Sequence, residues 1–236
     1  YLGRINDLAL EVTERAGANA DAYRSIASLN FILFQRLGYR GNRADYYDPN
    51  NSFLNRVIDN KIGIPITLSV LYMEVAARVG LAVEGVGFPG HFMVRVGAHD
   101  NEIVIDPFNS GDLKSAEDLA AMLKHMYGDK ATLRGEYLAP VSKRQVLQRM
   151  LANLKAIYAK QNDWLRLLAV LDRLLILDPA AADELRDRGV VYSRLDCFGQ
   201  SKADFERYLE LAPDAEDAET IRAQIAKLTK QAVLLH

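Results

Sequence analysis

The chain has 236 residues, half of them apolar and a quarter charged, which is typical of one large or two small globular domains. Its 29 basic and 31 acidic side chains include no Lys/Arg-rich run, which excludes the basic surface that nucleic-acid binding requires. The lone cysteine, Cys197, excludes an internal disulfide framework and indicates a reducing compartment, so the expected location is the cytoplasm.

The N-terminal part is predicted to contain three helices and an ordered loop. The helices are expected at residues 5–16, 21–37 and 53–60, with Asp21 as the N-cap of the second. Residues 40–52 are rich in Asn, Asp, Gly and Tyr, and this turn chemistry indicates an ordered loop. Asn55 in the third helix is either a cleft residue, acting as an oxyanion donor or ligand contact, or an ordinary surface asparagine.

The most apolar helix is predicted over residues 65–79. Pro65 suits its first turn because the missing N–H would have no intrahelical partner, and Gly80 ends it. Charged residues at Glu74 and Arg78 interrupt the apolar stretch, which therefore indicates a buried helix and not a membrane span.

Three strands follow, predicted at residues 83–88, 91–96 and 102–106. Pairing Phe92 with Ile105 and Val94 with Ile103 matches apolar residues to apolar residues, and it leaves a four-residue loop at 97–100.

The same register places Arg95 opposite Glu102 and His91 opposite Asp106. Directly opposite side chains have Cβ atoms about 4.5–5.5 Å apart, so His91 and Asp106 are expected to touch. A carboxylate orients the imidazole ring and fixes its tautomer, as in catalytic triads, but such a pair also serves as a structural hydrogen bond. The pair alone leaves both interpretations open.

Ser115 and Asp118 predict a capping box for a helix that reaches Tyr127. The segment after it carries no long pattern, which predicts one domain at residues 1–140 and a second at 141–236.

The final third contains an internal repeat. Tyr158 and Tyr192 are 34 residues apart, as are Trp164 and Phe198. This period with helical patterns indicates tetratricopeptide-type repeats, predicted at about 148–179 and 182–213 and followed by a closing helix at 217–235. The units resemble the tetratricopeptide superfamily, although Leu167 and Ser201 stand where that family usually has a small alanine.

The order of parts in residues 53–108 resembles the transglutaminase-like fold, an α+β fold of papain-like cysteine-protease type with an antiparallel sheet. Four segments also resemble the SirB-type family, which couples such a domain to tetratricopeptide repeats; they are DPNNS at 48–52, GIPITLS at 63–69, GFPGHF at 87–92 and IDPF at 105–108. The resemblance implies a nucleophilic cysteine at the start of the core helix, with His91 and Asp106 completing a triad.

This chain departs from that pattern at the nucleophile, because Pro65 occupies its position and has neither a thiol nor a hydroxyl. Without a thiolate, transglutaminase or cysteine-protease activity is not expected. Thr67 and Ser69 are the alternative nucleophiles, although both hydroxyls could simply bond to backbone groups.

No metal or cofactor is expected. The four histidines, at positions 91, 99, 125 and 236, show no paired spacing, and the chain carries no glycine-rich phosphate loop.

The helical repeats predict a groove that binds a protein or peptide partner. By resemblance, the groove is lined by Arg149, Ala152, Ala156, Asp183, Arg186 and Val190. Arg149 and Arg186 could receive a carboxylate-bearing peptide. Alternatively, two repeats only support the first domain.

Three functions therefore stay open. The leading hypothesis is a non-catalytic regulatory or scaffold protein that binds a protein or peptide partner through a degenerate transglutaminase-like cleft, through the helical repeats, or through both. The second is a hydrolase or acyltransferase that uses His91 and Asp106 with Thr67 or Ser69. The third is a ligand pocket in the emptied cleft, with Gly63 and Ile64 in its lining and His91 as an anchor.

Overall fold

A computed structural model describes residues 1–97 and 102–234, with side chains described to residue 230. It divides into two units, Tyr1–Val146 and a second that begins at Leu147. This division falls shortly after the predicted boundary at residue 140.

Among the described residues, five α-helices lie wholly within the first unit. They are α1 (Leu2–Ala16), α2 (Ala22–Asn30), α3 (Leu54–Asn60), α4 (Pro65–Arg78) and α5 (Ala116–Tyr127). The predicted N-cap of α2 is confirmed, since the Asp21 carboxylate accepts the Arg24 N–H at 2.8 Å. The capping box of α5 is confirmed as well, with Ser115 and Asp118 bonded reciprocally.

The prediction of one helix over residues 21–37 is wrong in its second half. Residues Phe31–Arg36 form a π-helical segment, in which the Leu37 N–H donates to the Ile32 carbonyl at 3.1 Å. Such wide turns use bonds from i to i+5, so a search for a 3.6-residue period cannot identify them.

Helix α4 lies at the centre of the first unit. Nine of its fourteen side chains are buried, as expected for a helix that is apolar on nearly every face. Pro65 is its first residue, where no N–H is required, and Gly80 follows the helix with φ of 78°.

A four-stranded antiparallel sheet packs against α4 on one face. Its strands lie in the order β3 (Val83–Val86), β4 (Met93–Val96), β5 (Ile103–Asp106) and β6 (Asp112–Lys114). Val94 and Ile105 face the core around α4, whereas Met93 and Val104 belong to a second core with α5. The two central strands, β4 and β5, are therefore buried on both faces.

The predicted register between the second and third predicted strands is wrong by two residues. Val94 pairs with Ile105 and Val96 with Ile103, and His91 and Phe92 precede β4 instead of opening it. A shift of two residues keeps every side chain on its own face, so the apolar pattern that excluded a one-residue slip could not detect it. The predicted loop at 97–100 lies outside the described residues apart from Gly97.

Two strand features of the first unit were not predicted. Strand β6 follows a short 3₁₀ turn, and β1 (Arg40–Gly41) pairs in parallel with β2 (Ile62–Gly63). Two-residue strands carry no periodicity that a sequence pattern could reveal.

The second unit is built from α-helices. They are α6 (Lys143–Gln161), which begins just before the division, α7 (Trp164–Leu177), α8 (Ala182–Arg194), α9 (Phe198–Leu211) and α10 (Ala218–Leu234). Trp164 and Phe198, one period apart, are the first residues of α7 and α9. The predicted closing helix is α10, and its predicted last residue lies outside the described residues.

Close packing joins the helices of the second repeat. A Cβ at Gly189 of α8 would lie 2.6 Å from the Phe205 ring of α9, so only glycine permits this approach. The buried Ser201 hydroxyl donates to the Gly189 carbonyl at 2.7 Å, which explains how a serine is tolerated at this position.

Candidate functional site

His91 and Asp106 form a hydrogen-bonded pair. The distance from His91 Nε2 to Asp106 Oδ1 is 2.9 Å. The Asp106 side chain is fully buried, and that of His91 is 11% exposed. The contact arises because Asp106 ends β5, while the turn before β4 carries His91; the His91 N–H closes this turn on the Phe88 carbonyl at 3.0 Å.

Three further donors hold the Asp106 carboxylate. The Phe108 and Asn109 N–H groups donate to Oδ1 at 3.1 and 3.3 Å, and Asn109 Nδ2 donates to Oδ2 at 2.6 Å. Burial alone would raise the pKa of Asp106, but the His91 hydrogen bond and charge and the Asn109 bonds outweigh it and lower that pKa. Asp106 is thus held as a carboxylate.

Asn109 was missed in the sequence, although a signal was available. An Asp-Pro dipeptide after a strand favours a turn whose aspartate caps the following backbone N–H groups. Here Asp106 caps the 3₁₀ turn Pro107–Asn109, which brings the Asn109 amide back to the carboxylate.

An aromatic and cationic cluster adjoins the pair. The Phe108 ring meets His91 edge-on at 5.9 Å between centroids, and Tyr46 packs on Phe108 at 6.3 Å. The Arg43 guanidinium lies 5.2 Å from the Phe108 centroid and donates to Asn109 Oδ1. The loop at residues 40–52 is therefore ordered, as predicted, and connects to the site through Phe108 and Asn109.

The nucleophile position of the resemblance is occupied by a buried side chain. Pro65 is the first residue of α4 and carries no nucleophilic atom. Residues 40–42 lie beside residues 62–63, which precede α4, and the Asn42 N–H donates to the Gly63 carbonyl at 2.9 Å. Cys197 lies in the second unit as the half-buried N-cap of α9.

The two alternative nucleophiles are buried and bonded to backbone. The Thr67 hydroxyl donates to the Asn51 carbonyl at 2.7 Å and accepts the Ile64 N–H at 3.1 Å. The Ser69 hydroxyl donates to the Phe92 carbonyl at 3.4 Å. Both side chains are fully buried, so the structure gives each hydroxyl a local structural partner.

The other predicted cleft residues separate into two groups. Gly63 and Ile64 lie beside Pro65, and a Cβ at Gly63 would come within 2.9 Å of Thr67 Oγ1. Asn55 lies on the exposed side of α3 and interacts with the Tyr1 hydroxyl. It therefore has the position of a surface asparagine.

In the second unit, Arg186 is engaged by carboxylates of its own chain. Asp183, Asp187 and Asp217 lie 3.6, 3.3 and 3.4 Å from its guanidinium. Burial alone would lower the pKa of Arg186, but these three carboxylates raise it. The predicted role of Arg186 as a receptor for a partner's carboxylate would require displacing them. Arg149 is half-buried on α6.

A groove of about 390 Å³ lies elsewhere on the second unit. It is lined by Val190, Ser193, Arg194, Asp196, Phe198, Gln224, Lys227 and Leu228. Of the residues that were predicted to line a groove, Val190 alone lines this one. Within the described side chains, neither Arg194 nor Lys227 forms an ion pair, and Arg194 lies over the Trp164 ring at 5.8 Å.

Two further searches concern the described residues alone. Among them, no three His, Cys, Asp or Glu side chains come together as metal ligands do. None of the described helices is both long and apolar enough to cross a membrane.

Comparison with known proteins gives matches over both units. A family model for the transglutaminase-like superfamily matches residues 1–152, and a tetratricopeptide-repeat model matches residues 154–226. A UPF0162 protein of Xylella fastidiosa (strain 9a5c) is 40% identical over 214 residues, which cover 89% of this chain and 76% of the relative. The UPF0162 protein YchA of Escherichia coli (strain K12) is 31% identical, and protein SirB1 of Salmonella typhimurium 27%; each alignment covers 87% of this chain and 76% of the relative.

Proposed function

The chain belongs to the transglutaminase-like superfamily and to the family of the UPF0162 and SirB1 proteins, and from that premise we propose that it is a non-catalytic scaffold or regulatory protein. It binds a protein or peptide partner and works in the cytoplasm. The predicted SirB-type resemblance and the α+β fold with helical repeats are confirmed.

The observation that carries the proposal is the buried proline at the nucleophile position. Acyl transfer by a triad requires an attacking thiolate or hydroxyl within reach of the imidazole. Pro65 supplies neither, while Thr67 and Ser69 use their hydroxyls in buried bonds to backbone. Breaking either bond would leave a buried carbonyl unpaired, at about 1–3 kcal/mol.

The His91–Asp106 pair then acts as a structural connection. Asp106 accepts bonds from the turn before β4 through His91 and from the 3₁₀ turn through Asn109. A fully buried carboxylate with several donors fixes both segments, since each broken bond would leave its charge less well compensated in a low-dielectric interior.

The partner site that the contacts favour is the groove of the second unit and not the Arg186 cluster. Val190 and Phe198 offer apolar surface, while Arg194 and Lys227 offer two cations against the single carboxylate of Asp196. This combination suits a short peptide that carries an apolar anchor and an acidic side chain.

The test is affinity purification of the tagged chain from its native cell, with quantification of the co-eluting proteins. With the double variant Arg194→Glu/Lys227→Glu, the amount of a co-eluting partner should be at least tenfold lower than with the wild type. The matched control Lys202→Glu/Arg207→Glu reverses two charges on α9 outside the groove and should retain it. Equal recovery with both double variants would rule out binding through this groove.

A hydrolase remains the second candidate because the His91–Asp106 geometry is intact at 2.9 Å. It requires turnover of ester or amide substrates that is lost in His91→Ala and in either Thr67→Ala or Ser69→Ala, with the fold preserved in each variant. Turnover that meets these conditions would replace the scaffold proposal.

A further inference from the structure

A second cavity lies in the first unit, between the end of α5 and the segment that follows it. Its volume is about 320 Å³, within the range of small-molecule sites, which runs from about 300 to 1,000 Å³. None of the predicted site residues lines it.

The cavity has an apolar floor. Leu123 of α5 is 2% exposed and belongs to the core between the sheet and α5, and the half-buried Pro89 and Ala131 also line the cavity. Such a surface removes an apolar body from water without leaving a polar group unpaired.

The walls carry hydrogen-bond donors that are either neutral or positively charged. Tyr127 and Tyr137 bring phenol groups, and Lys130 and Arg134 bring cations, whereas none of the described lining residues is acidic. Among the described residues, Arg134 forms an ion pair with Glu136 at 3.4 Å, and both side chains are about two-thirds exposed. An exposed pair of this kind is weak, so Arg134 is able to turn to a bound anion.

We propose that this cavity binds a small organic anion with an apolar or aromatic body, such as an aromatic carboxylate. The carboxylate meets Lys130 and Arg134 through charge-assisted hydrogen bonds, and the ring lies on Leu123 and Ala131. Inorganic anions lack the apolar half of these contacts, and neutral aromatics lack the charged half.

The cavity also adjoins the turn that carries His91. A Cβ at Gly90 would lie 2.9 Å from Met126 Sδ and 3.2 Å from the Tyr127 hydroxyl, so the end of α5 packs directly on this turn. Gly90 adopts φ of 68°, which favours glycine. A ligand held by Tyr127 and Pro89 therefore contacts the segment that positions His91.

The experiment is an NMR titration of the isotopically labelled full chain with phenylacetate, phenylacetamide and inorganic phosphate at millimolar concentrations. Phenylacetate should give saturable shifts of the Leu123, Tyr127 and Ala131 amides. Phenylacetamide should bind at least tenfold more weakly, and phosphate should leave these amides unchanged.

Two variants separate the two halves of the site. Lys130→Gln/Arg134→Gln should weaken phenylacetate binding at least tenfold, while the matched exposed pair Lys124→Gln/Arg56→Gln should leave it unchanged. Ala131→Phe should fill the cavity and abolish binding.

Three results would overturn the proposal. They are no saturable shift with phenylacetate, shifts confined to other parts of the chain, or equal binding by the wild type and Lys130→Gln/Arg134→Gln. The titration does not depend on whether the chain is a scaffold or an enzyme.

Discussion

Replacing Tyr72 with phenylalanine should stabilise the first unit. Tyr72 is fully buried in α4, and its ring stacks on Phe34 at 6.2 Å between centroids. Its hydroxyl is buried and finds no hydrogen-bond partner among the described residues. Burial raises the pKa of Tyr72 well above its usual range, so the group stays protonated at any ordinary pH.

The magnitude follows from the desolvation of that hydroxyl. A buried, unsatisfied polar group destabilises the folded state by about 1–3 kcal/mol. Tyr72→Phe removes the group and leaves only a small void, so the net gain should be about 1–2 kcal/mol.

Hydrogen exchange of α4 amides is the suitable assay, because it reports the free energy of opening of this unit separately from the second. Tyr39→Phe is the matched control. Tyr39 is buried in the same core, but its hydroxyl donates to the Ile58 carbonyl at 3.4 Å, so its loss should leave stability unchanged or slightly reduced. A Tyr72→Phe protein that opens more easily than the wild type would refute the reasoning.

Three further changes test the site. Asp106→Asn should lower the free energy of unfolding by about 2–4 kcal/mol near neutral pH. Because folding lowers the pKa of Asp106, the advantage of the wild type is present above the unfolded pKa of about 3.9 and is lost as the pH falls through the folded pKa. An acid titration of the unfolding free energy checks this. Thr67→Val should destabilise by about 1–3 kcal/mol by leaving the Ile64 N–H and Asn51 carbonyl unpaired, and an unchanged urea midpoint would contradict this. Gly41→Ala should destabilise by about 1–3 kcal/mol in the same assay, because its Cβ would lie 2.4 Å from the Phe108 ring; the control Gly135→Ala, with open space at its Cβ, should not.

The sequence predicted the contact between His91 and Asp106 through a register that the structure contradicts. The strand pattern has a period of two, so it distinguishes the two faces of the sheet but not registers that differ by two residues. His91 reaches Asp106 from the turn before β4 and not as a directly opposite residue of the strand. The predicted contact is therefore correct although the register from which it was inferred is wrong, and the family resemblance implied the same pair independently.

The sequence was less informative where function depends on long-range neighbours. Arg186 looked like a receptor for a carboxylate, but Asp217, 31 residues further along the chain, already lies beside it. Lys227 and Arg194 meet in one groove although nothing in their spacing links them. Helix bounds follow from local capping and periodicity, whereas such meetings follow from tertiary packing.

The proposal that neither Thr67 nor Ser69 serves His91 as a nucleophile is tested most directly by intact-mass spectrometry and peptide mapping of the chain after incubation with a fluorophosphonate, with His91→Ala treated in parallel. We expect neither protein to carry an adduct on Thr67 or Ser69, since both hydroxyls are buried and bonded to backbone carbonyls. An adduct on either residue that forms in the wild type and disappears in His91→Ala would contradict this and identify a working nucleophile.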